Sequence, residues 1–195
     1  MMTCETKPVE AVKVGEAIKK IRENQGVSLQ ELAQRTGYST AVLSQIENHL
    51  VSPSLGTMVR LAKALHVPLG GFFNREDTEP FTIIRQHERQ TVSRFASKEG
   101  VRYGYTYESL GAGKKDRKME PFVVTLEPAT IKSDTCSTHD GEEFIYVLEG
   151  KIDVTILEHT DLLEAGDSIY YESSIPHLVR CHGDQSAKIL AVVHP

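Results

Sequence analysis

The segment SLQELAQRTGYSTAVLSQIENH, residues 28–49, contains the signals of two short helices separated by a glycine. Ser28 is followed three residues later by Glu31, a capping-box pattern in which each side chain can accept a hydrogen bond from the backbone N–H of the other residue. This pattern predicts a helix over residues 29–35. The helix is expected to end at Gly37, because glycine readily adopts the left-handed conformation of a helix end.

The second helix of this segment is predicted to begin after Ser39, a typical N-cap, and to run through Glu47. Its predicted buried side chains are Val42, Leu43 and Ile46. Two short helices joined by a glycine-containing turn form a helix-turn-helix, whose second helix fits the major groove of DNA. An ordinary helical bundle is the alternative that this segment alone leaves open.

The flanking sequence predicts three further helices. Apolar residues at helical spacing predict a first helix that starts at Val14 and stops at Gly26. Downstream, Ser54 predicts the cap of a fourth helix, Pro68 ends it, and a last short turn covers residues 69–73. The N-terminal region, residues 10–73, is therefore predicted to be a five-helix domain.

Three motifs of this region resemble the phage-repressor-type, xenobiotic-response-element helix-turn-helix family over residues 14–73. They are LAxxxG at 32–37, SQIENH at 44–49 and SPSLGTMVRLAKAL at 52–65. The resemblance implies a lambda-repressor-like fold in which the third helix meets base edges. By position, the predicted DNA-binding residues are Ser39, Thr40, Ala41, Ser44 and Gln45. Leu29 stands where several family members have a polar residue, which removes one polar group from the expected interface.

Charge separates this region from the rest of the chain. Residues 7–70 contain eight Lys/Arg and five Asp/Glu, a net of +3, whereas residues 71–195 contain 14 and 21, a net of −7. A polyanion partner is expected for the basic region only. Candidate phosphate contacts are Lys19, Lys20, Arg22 and Arg35, and each is equally explained as a solvated helix charge.

Cysteine usage and apolar runs bear on the compartment. Three cysteines without a CxxC pattern, together with an N-terminus that lacks an apolar stretch after a basic one, predict a reducing, cytoplasmic setting. The longest apolar runs, such as residues 144–148, are far shorter than the roughly 20 residues of a membrane-spanning helix. No membrane segment is predicted.

Residues 74–80 are predicted to be a linker, and residues 81–195 a domain of short β-strands. The predicted strands are 81–84, an alternating stretch at 101–108, and 122–126, 144–148, 151–157, 168–172, 178–180 and 188–193. Turn residues at short intervals indicate an antiparallel sandwich or barrel. Tyr103 and Tyr105 share one face of the alternating stretch, where a ligand pocket, a sheet edge or a dimer surface explains them equally.

A metal site is predicted within the segment THDGEEFIYVLEG, residues 138–150. Side chains alternate along an extended chain, so His139 and Glu143 point to one face and Glu142 to the other. His177 in SIPHLV offers a third ligand from another strand. Two imidazoles and a carboxylate suit Fe(II) and other divalent first-row metals, with Fe, Zn, Ni or Mn as candidates. The alternative is that both histidines only form hydrogen bonds.

These residues also resemble the two motifs of the cupin family, at 139–150 and at GDSIYYESSIPH, 166–177. The resemblance implies an antiparallel β-barrel, the double-stranded β-helix, and hence an α + β protein of two domains. The family's extra histidine is Ser137 here, its proline is Glu172 and its closing asparagine is Cys181. Cys181 shares the parity of His177. It is a candidate effector contact, a thiol ligand, a redox sensor, a disulfide partner of Cys136, or a buried inert thiol.

The combination of both resemblances is similar to bacterial regulators in which a cupin binds a small-molecule effector and changes DNA affinity. On this interpretation a homodimer binds a pseudo-palindromic double-stranded operator, and the effector contacts predicted from strand alternation are Tyr103, Tyr105 and Cys181. A second interpretation is an enzyme similar to the hydroxypropylphosphonate epoxidases, mononuclear iron oxygenases with the same domain order. A third is a metal-free cupin used only for dimerisation. The intact helix-turn-helix motifs favour the regulator over the enzyme.

Overall fold

The structure is a computed structural model that describes residues 13–73, 79–89, 104–128 and 136–195. The N-terminal part contains four α-helices and a short 3-10 helix. The α-helices are α1 Val14–Asn24, α2 Leu29–Thr36, α3 Thr40–Glu47 and α4 Leu55–Ala64, and the 3-10 helix is Leu69–Phe73. The prediction of five helices is therefore wrong in its last element. Two adjacent glycines in this five-residue segment form a tight turn instead of an α-helix.

The predicted helix caps are confirmed. The hydroxyl oxygens of Ser28, Ser39 and Ser54 accept hydrogen bonds from backbone N–H groups of the first turns of α2, α3 and α4. Gly37 ends α2 with φ of 74°, in the left-handed region that glycine tolerates. The Glu31 carboxylate does not complete the capping box with the Ser28 backbone N–H. It instead accepts a hydrogen bond from Arg35 at 2.6 Å.

The core of the helical part contains one ion pair. Arg22 of α1 donates from Nε and Nη2 to the two oxygens of Glu47 in α3, at 2.7 and 2.9 Å, and both side chains are buried. A bidentate buried pair of this kind fixes α1 against α3. The expected burial of Val42 is wrong, because its side chain lies on the outer side of α3 and is 37% exposed.

In the part of the chain that the structure describes, eight strands form two antiparallel sheets. The strands are β1 Tyr105–Ser109, β2 Glu120–Leu126, β3 Glu142–Glu149, β4 Lys151–Ile156, β5 His159–Glu164, β6 Ser168–Glu172, β7 His177–Cys181 and β8 Ala187–His194. One sheet has the order β1-β2-β8-β3-β6, and the other has the order β5-β4-β7. Within the described residues the sheets do not join into a closed barrel, which corrects the prediction of a barrel. Gly150, with φ of 78°, takes the chain from the first sheet into the second.

Two strand predictions are also corrected. Residues 81–84 form no strand, and the side chains of Phe81 and Ile83 are 68% and 64% exposed. Strand β5 was not predicted, because most of its residues are exposed and show no apolar alternation. The start of the stretch at 101–108 lies outside the described residues, and its end lies in β1.

The helical part and the first sheet share one apolar core. The rings of Phe73 and Phe122 meet edge to face with centroids 5.6 Å apart. The Tyr107 hydroxyl donates to the carbonyl oxygen of Pro53 at 3.1 Å, and Ser52 Oγ donates to the carbonyl oxygen of Tyr105 at the same distance. These contacts place the N-terminus of α4 directly against the sheets. Across the described parts of the chain, no helix is both long and apolar enough to cross a membrane.

Candidate metal centre and reader helix

His139, Glu143 and His177 are brought together from three places in the chain. His139 precedes β3, Glu143 lies within β3 and His177 begins β7 of the other sheet. Two backbone hydrogen bonds between Ser137 and His177, at 2.7 and 3.0 Å, join the segment before β3, which contains His139, to β7. Backbone pairing between the two motifs therefore positions side chains that are far apart in sequence.

The three side chains form a compact buried group. One ligand atom of each residue can be chosen so that all three lie within 4.8 Å of one another. Glu143 Oε2 lies 3.7 Å from His139 Nε2 and 3.9 Å from His177 Nε2. An ion with bonds of about 2.1 Å separates neighbouring ligands by about 3.0–3.4 Å, so small side-chain movements would complete its coordination.

The hydrogen bonds around both histidines leave the inner nitrogens available as ligands. The Nδ1 atoms of His139 and His177 bond backbone carbonyl oxygens of Asp140 and Ile175, at 3.0 and 2.8 Å. A carbonyl only accepts, so Nδ1 of each ring carries the proton and Nε2 presents a lone pair towards Glu143. His139 Nε2 is buried without a hydrogen-bond partner. This outer shell of bonds is typical of metal-binding histidines, and the residues fit a divalent ion.

Burial also favours the neutral form of His177, because desolvation lowers the pKa of its imidazole. A neutral imidazole has a lone pair available for a metal ion. Tyr171 lies opposite Glu143 in the pairing of β3 with β6, and its hydroxyl donates to Glu143 Oε2 at 2.8 Å. Burial raises the pKa of Tyr171 well above its ordinary value, so it remains a donor. Sequence reasoning missed this tyrosine, although it lies inside the second motif.

Glu143 and His177 face a small cavity between the two sheets, whereas His139 lies in the wall of a neighbouring cleft. The volume of the small cavity is about 50 Å³, and Leu55 of α4 forms part of its wall together with Glu143, Tyr171 and His177. A cavity of this size accommodates an ion with a few water molecules, since about 10–15 Å³ of such cavity volume is enough to hold one water. A larger molecule requires part of the wall to move.

The predicted effector residues have different outcomes. Tyr105 lines the cavity, but its hydroxyl donates to the carbonyl oxygen of Val179 at 2.9 Å, and burial raises its pKa to about 12. Tyr103 lies outside the described residues. Cys181 is buried yet does not line the cavity, and burial raises the pKa of its thiol. Cys136 and Cys181 are both free, so the disulfide alternative is wrong.

The predicted reader surface lies on α3. Ser39, Thr40, Ala41 and Gln45 are exposed and Ser44 is half-buried. Two of these residues have other hydrogen-bonding roles. Ser39 Oγ caps α3, and the backbone carbonyl and hydroxyl of Ser44 accept from Asn48 Nδ2 at 2.8 and 3.3 Å. Gln45 therefore offers the longest exposed polar side chain of the set.

The candidate phosphate contacts divide into two groups. Arg22 is buried in its ion pair with Glu47, so its guanidinium is not exposed for contact with a phosphate. Lys19, Lys20 and Arg35 are exposed, and Arg35 is paired with Glu31.

The comparisons with known proteins agree with both halves of the structure. A helix-turn-helix family model matches residues 18–72, and a cupin domain model matches residues 122–193. The chain contains a helix-turn-helix domain and a cupin domain. A crystal structure of a helix-turn-helix-family transcriptional regulator from Vibrio cholerae is similar, with a TM-score of 0.63 and 25% identity, covering 94% of this chain and 96% of that one.

Two curated relatives match most of the helix-turn-helix and cupin domains together. The HTH-type transcriptional regulator PuuR of Escherichia coli is 29% identical over 170 residues, 86% of this chain and 87% of PuuR. The (S)-2-hydroxypropylphosphonic acid epoxidase of Streptomyces wedmorensis is 28% identical over 191 residues, 91% of this chain and 93% of the epoxidase. The same two-domain arrangement thus occurs in a regulator and in an enzyme.

The helix-turn-helix domain contacts the segment that holds His139. A Cβ added to Gly56 of α4 would lie 2.8 Å from His139 Cδ2 and 3.0 Å from Ser137 Cβ. The hydroxyls of Ser54 and Ser137 are 3.2 Å apart. Arg60 donates to the carbonyl and hydroxyl oxygens of Thr138. The close approach of α4 to a candidate metal ligand was not predicted from the sequence.

Proposed function

We propose that this protein is a sequence-specific DNA-binding transcriptional regulator whose cupin domain holds a divalent metal ion and responds to a small-molecule effector. The observation that carries the proposal is the position of α3. Contact with the cupin domain uses α4 and the 3-10 helix, and the face of α3 with Gln45 remains exposed. Similarity to PuuR and to the Vibrio cholerae regulator over most of the chain supports the same role.

DNA recognition requires the outer face of α3 to enter the major groove. Gln45 can bond the N6 and N7 edge of adenine, and the hydroxyls of Ser39, Thr40 and Ser44 can serve bases or phosphates. Ala41 can make apolar contact with a thymine methyl group. Two such helices in a homodimer would occupy successive major grooves about 34 Å apart, on a pseudo-palindromic site.

The metal ion would be held by His139, Glu143 and His177, with its remaining positions open to water or an effector. A site of two imidazoles and one carboxylate suits Fe(II), Zn(II), Ni(II) or Mn(II). Bound there, the ion would supply coordination positions for an oxygen- or nitrogen-containing effector. Tyr171 would orient Glu143 through the hydrogen bond to Oε2.

The effector response would pass through Leu55. An effector larger than the cavity of about 50 Å³ has to displace part of its wall, and Leu55 is the wall residue that belongs to the helix-turn-helix domain. The displaced arrangement would bind the effector more tightly than the compact one. A difference in affinity between two arrangements is what allows a ligand to shift their populations.

DNA binding is tested in two steps. Genomic fragments retained by the protein at a fixed salt concentration are sequenced to define the operator. The operator affinities of Gln45→Ala and of Gln185→Ala, an exposed glutamine in the turn before β8, are then compared by gel shift. We expect about a tenfold loss or more for Gln45→Ala and none for the control. Equal affinities for both variants and the wild type would exclude α3 as the reader.

A second candidate function is that of a mononuclear iron oxygenase. It is supported by the same three ligands and by the similarity to the Streptomyces epoxidase. The exposed face of α3 and the match to the helix-turn-helix family favour the regulator over this enzyme. Oxygen consumption by the iron-loaded protein with (S)-2-hydroxypropylphosphonic acid, absent in Glu143→Gln, would establish the enzyme instead.

A further inference from the structure

A second and larger cavity lies in the cleft between the two domains. Its volume is about 460 Å³, and its wall shares no residue with the smaller cavity but includes the candidate metal ligand His139. The wall is formed by the end of α2, by α4, by the 138–140 segment and by the loop before β7. We name this space the interdomain cleft. Its volume is within the range of about 300–1,000 Å³ that is usual for small-molecule sites.

The interdomain cleft is cationic in a protein whose net charge is −5. Its wall contains Arg35, Arg60 and Lys63, against one acid, Asp140. Arg35 pairs with Glu31 and Lys63 pairs with Asp140. Among the described residues, no carboxylate lies within ion-pair distance of Arg60. The charge of Arg60 is therefore the least compensated in the cleft.

Arg60 is held in a fixed position by neutral groups. Its guanidinium lies over the ring of Tyr38, 5.5 Å from the centroid. Nη1 donates weakly to the carbonyl oxygen of Thr36 at 3.5 Å, and Nη2 donates to the carbonyl and hydroxyl oxygens of Thr138. A guanidinium positioned in this way is suited to bind a carboxylate or phosphate through two parallel hydrogen bonds.

We propose that the interdomain cleft binds a small organic anion, carrying a carboxylate or a phosphate group, on Arg60. Lys63 and Arg35 add positive charge, and the hydroxyls of Thr138 and Ser174 offer further donors. The anion would compete with Thr138 for Arg60. Because Arg60 also bonds the last residue of α2, this competition would reach the turn that leads into α3.

The test is a calorimetric titration of metal-free, full-length protein at constant ionic strength, with inorganic phosphate and with succinate as probes. Arg60→Met keeps the apolar stem of the side chain and removes its charge. The control is Lys151→Met, which removes an exposed lysine paired with Glu164 outside the cleft. We expect saturable binding of at least one probe, weakened about tenfold or more in Arg60→Met and unchanged in the control.

Absence of saturable binding of both probes to the wild type overturns the proposal. So does equal affinity in a folded Arg60→Met variant. If circular dichroism shows that Arg60→Met is unfolded, the Lys63→Gln variant replaces it in the test, because Lys63 is exposed and its substitution is tolerated more easily. Weaker probe binding to Lys63→Gln supports the proposed anion site, and unchanged probe binding refutes it.

A phosphate of the DNA backbone has the same chemistry as the proposed ligand, so a second arm of the experiment distinguishes the two sources. The titration is repeated with protein saturated with duplex DNA. Retained probe binding supports a small-molecule site. Loss of probe binding with DNA would assign the cleft to the backbone instead and overturn the proposal. The titration without DNA does not depend on the regulatory function, so the two proposals can fail separately.

Discussion

The contact between Gly56 and His139 predicts that one methyl group on α4 weakens metal binding in the cupin domain. In Gly56→Ala, the added Cβ would lie 2.8 Å from the His139 ring, whereas ordinary contact begins at about 3.4 Å, so the two groups must separate by about 0.6 Å. His139 cannot easily yield. Its backbone N–H donates to the carbonyl oxygen of Ser173 at 2.9 Å, and its Nδ1 is bonded to Asp140.

The size of the effect follows from overpacking. Inserting a methyl group into a well-packed site typically costs about 1–3 kcal/mol. If the strain displaces the His139 ring from its position as a ligand, this energy appears as a loss of metal affinity of about 5- to 150-fold. Global stability is a poor measure of this strain, because replacing a helical glycine by alanine itself gains up to about 1 kcal/mol, and Gly56 is the second residue of α4.

The assay is competition for zinc between the protein and a chelator of known affinity, after circular dichroism has established that each variant is folded. Gly71→Ala is the matched control, since an added Cβ there meets only Val67 atoms, at 3.7 Å or more. We expect about a tenfold loss for Gly56→Ala and none for Gly71→Ala. Equal zinc affinity for wild type and both variants would refute the inference that α4 constrains the metal site.

Three further predictions concern the metal site and the helical core. Glu143→Gln removes the only anionic ligand of the three and is expected to lower zinc affinity by about 100-fold or more in the same competition assay, while a smaller change would question the site. Arg22→Met leaves Glu47 buried without its partner and is expected to cost about 3–5 kcal/mol in urea unfolding, most of which Arg22→Met/Glu47→Leu recovers; a loss below about 1 kcal/mol would contradict the buried pair. Burial lowers the pKa of the His49 imidazole in the folded protein relative to the unfolded chain. As the pH falls through about 6.5, the unfolded chain therefore takes up the proton first, and the free energy of unfolding decreases. His49→Asn should therefore reduce the shift in urea midpoint between about pH 7.5 and about pH 5.5, and an unchanged shift would exclude His49 as a contributor.

Local signals predicted most of the helical domain. The serine caps of α2, α3 and α4 act within one helical turn, so residues adjacent in sequence determine where each helix begins. The pair formed by Arg22 and Glu47 joins residues 25 positions apart. From the sequence alone, both charged residues are equally well explained as surface groups. Tertiary packing of α1 on α3, and not a local pattern, buries them.

The candidate metal site was predictable because alternation along β3 and the two cupin motifs select the same residues. Neither signal predicts that the helix-turn-helix domain lies close to this site. Gly56 looks like an ordinary helix residue in the sequence, and only the packing of α4 against the 137–140 segment gives it a role. Strand β5 was not predicted because its residues are mostly exposed, so its sequence lacks the alternation of apolar and polar residues that indicates a strand.

The shared core limits how a signal can pass between the domains. Phe73 packs on Phe122, and the Tyr107 hydroxyl bonds Pro53 at the start of α4, so α4 cannot swing away from the sheets without losing buried contacts. Under the proposed function, a response to a ligand at the metal centre would therefore be a small displacement of α4, transmitted through packed side chains. Coupling of this kind is reciprocal, because the same free energy links the two sites in both directions. If the proposed function holds, an operator that prefers one position of α4 would change metal affinity by the same factor by which the metal changes operator affinity.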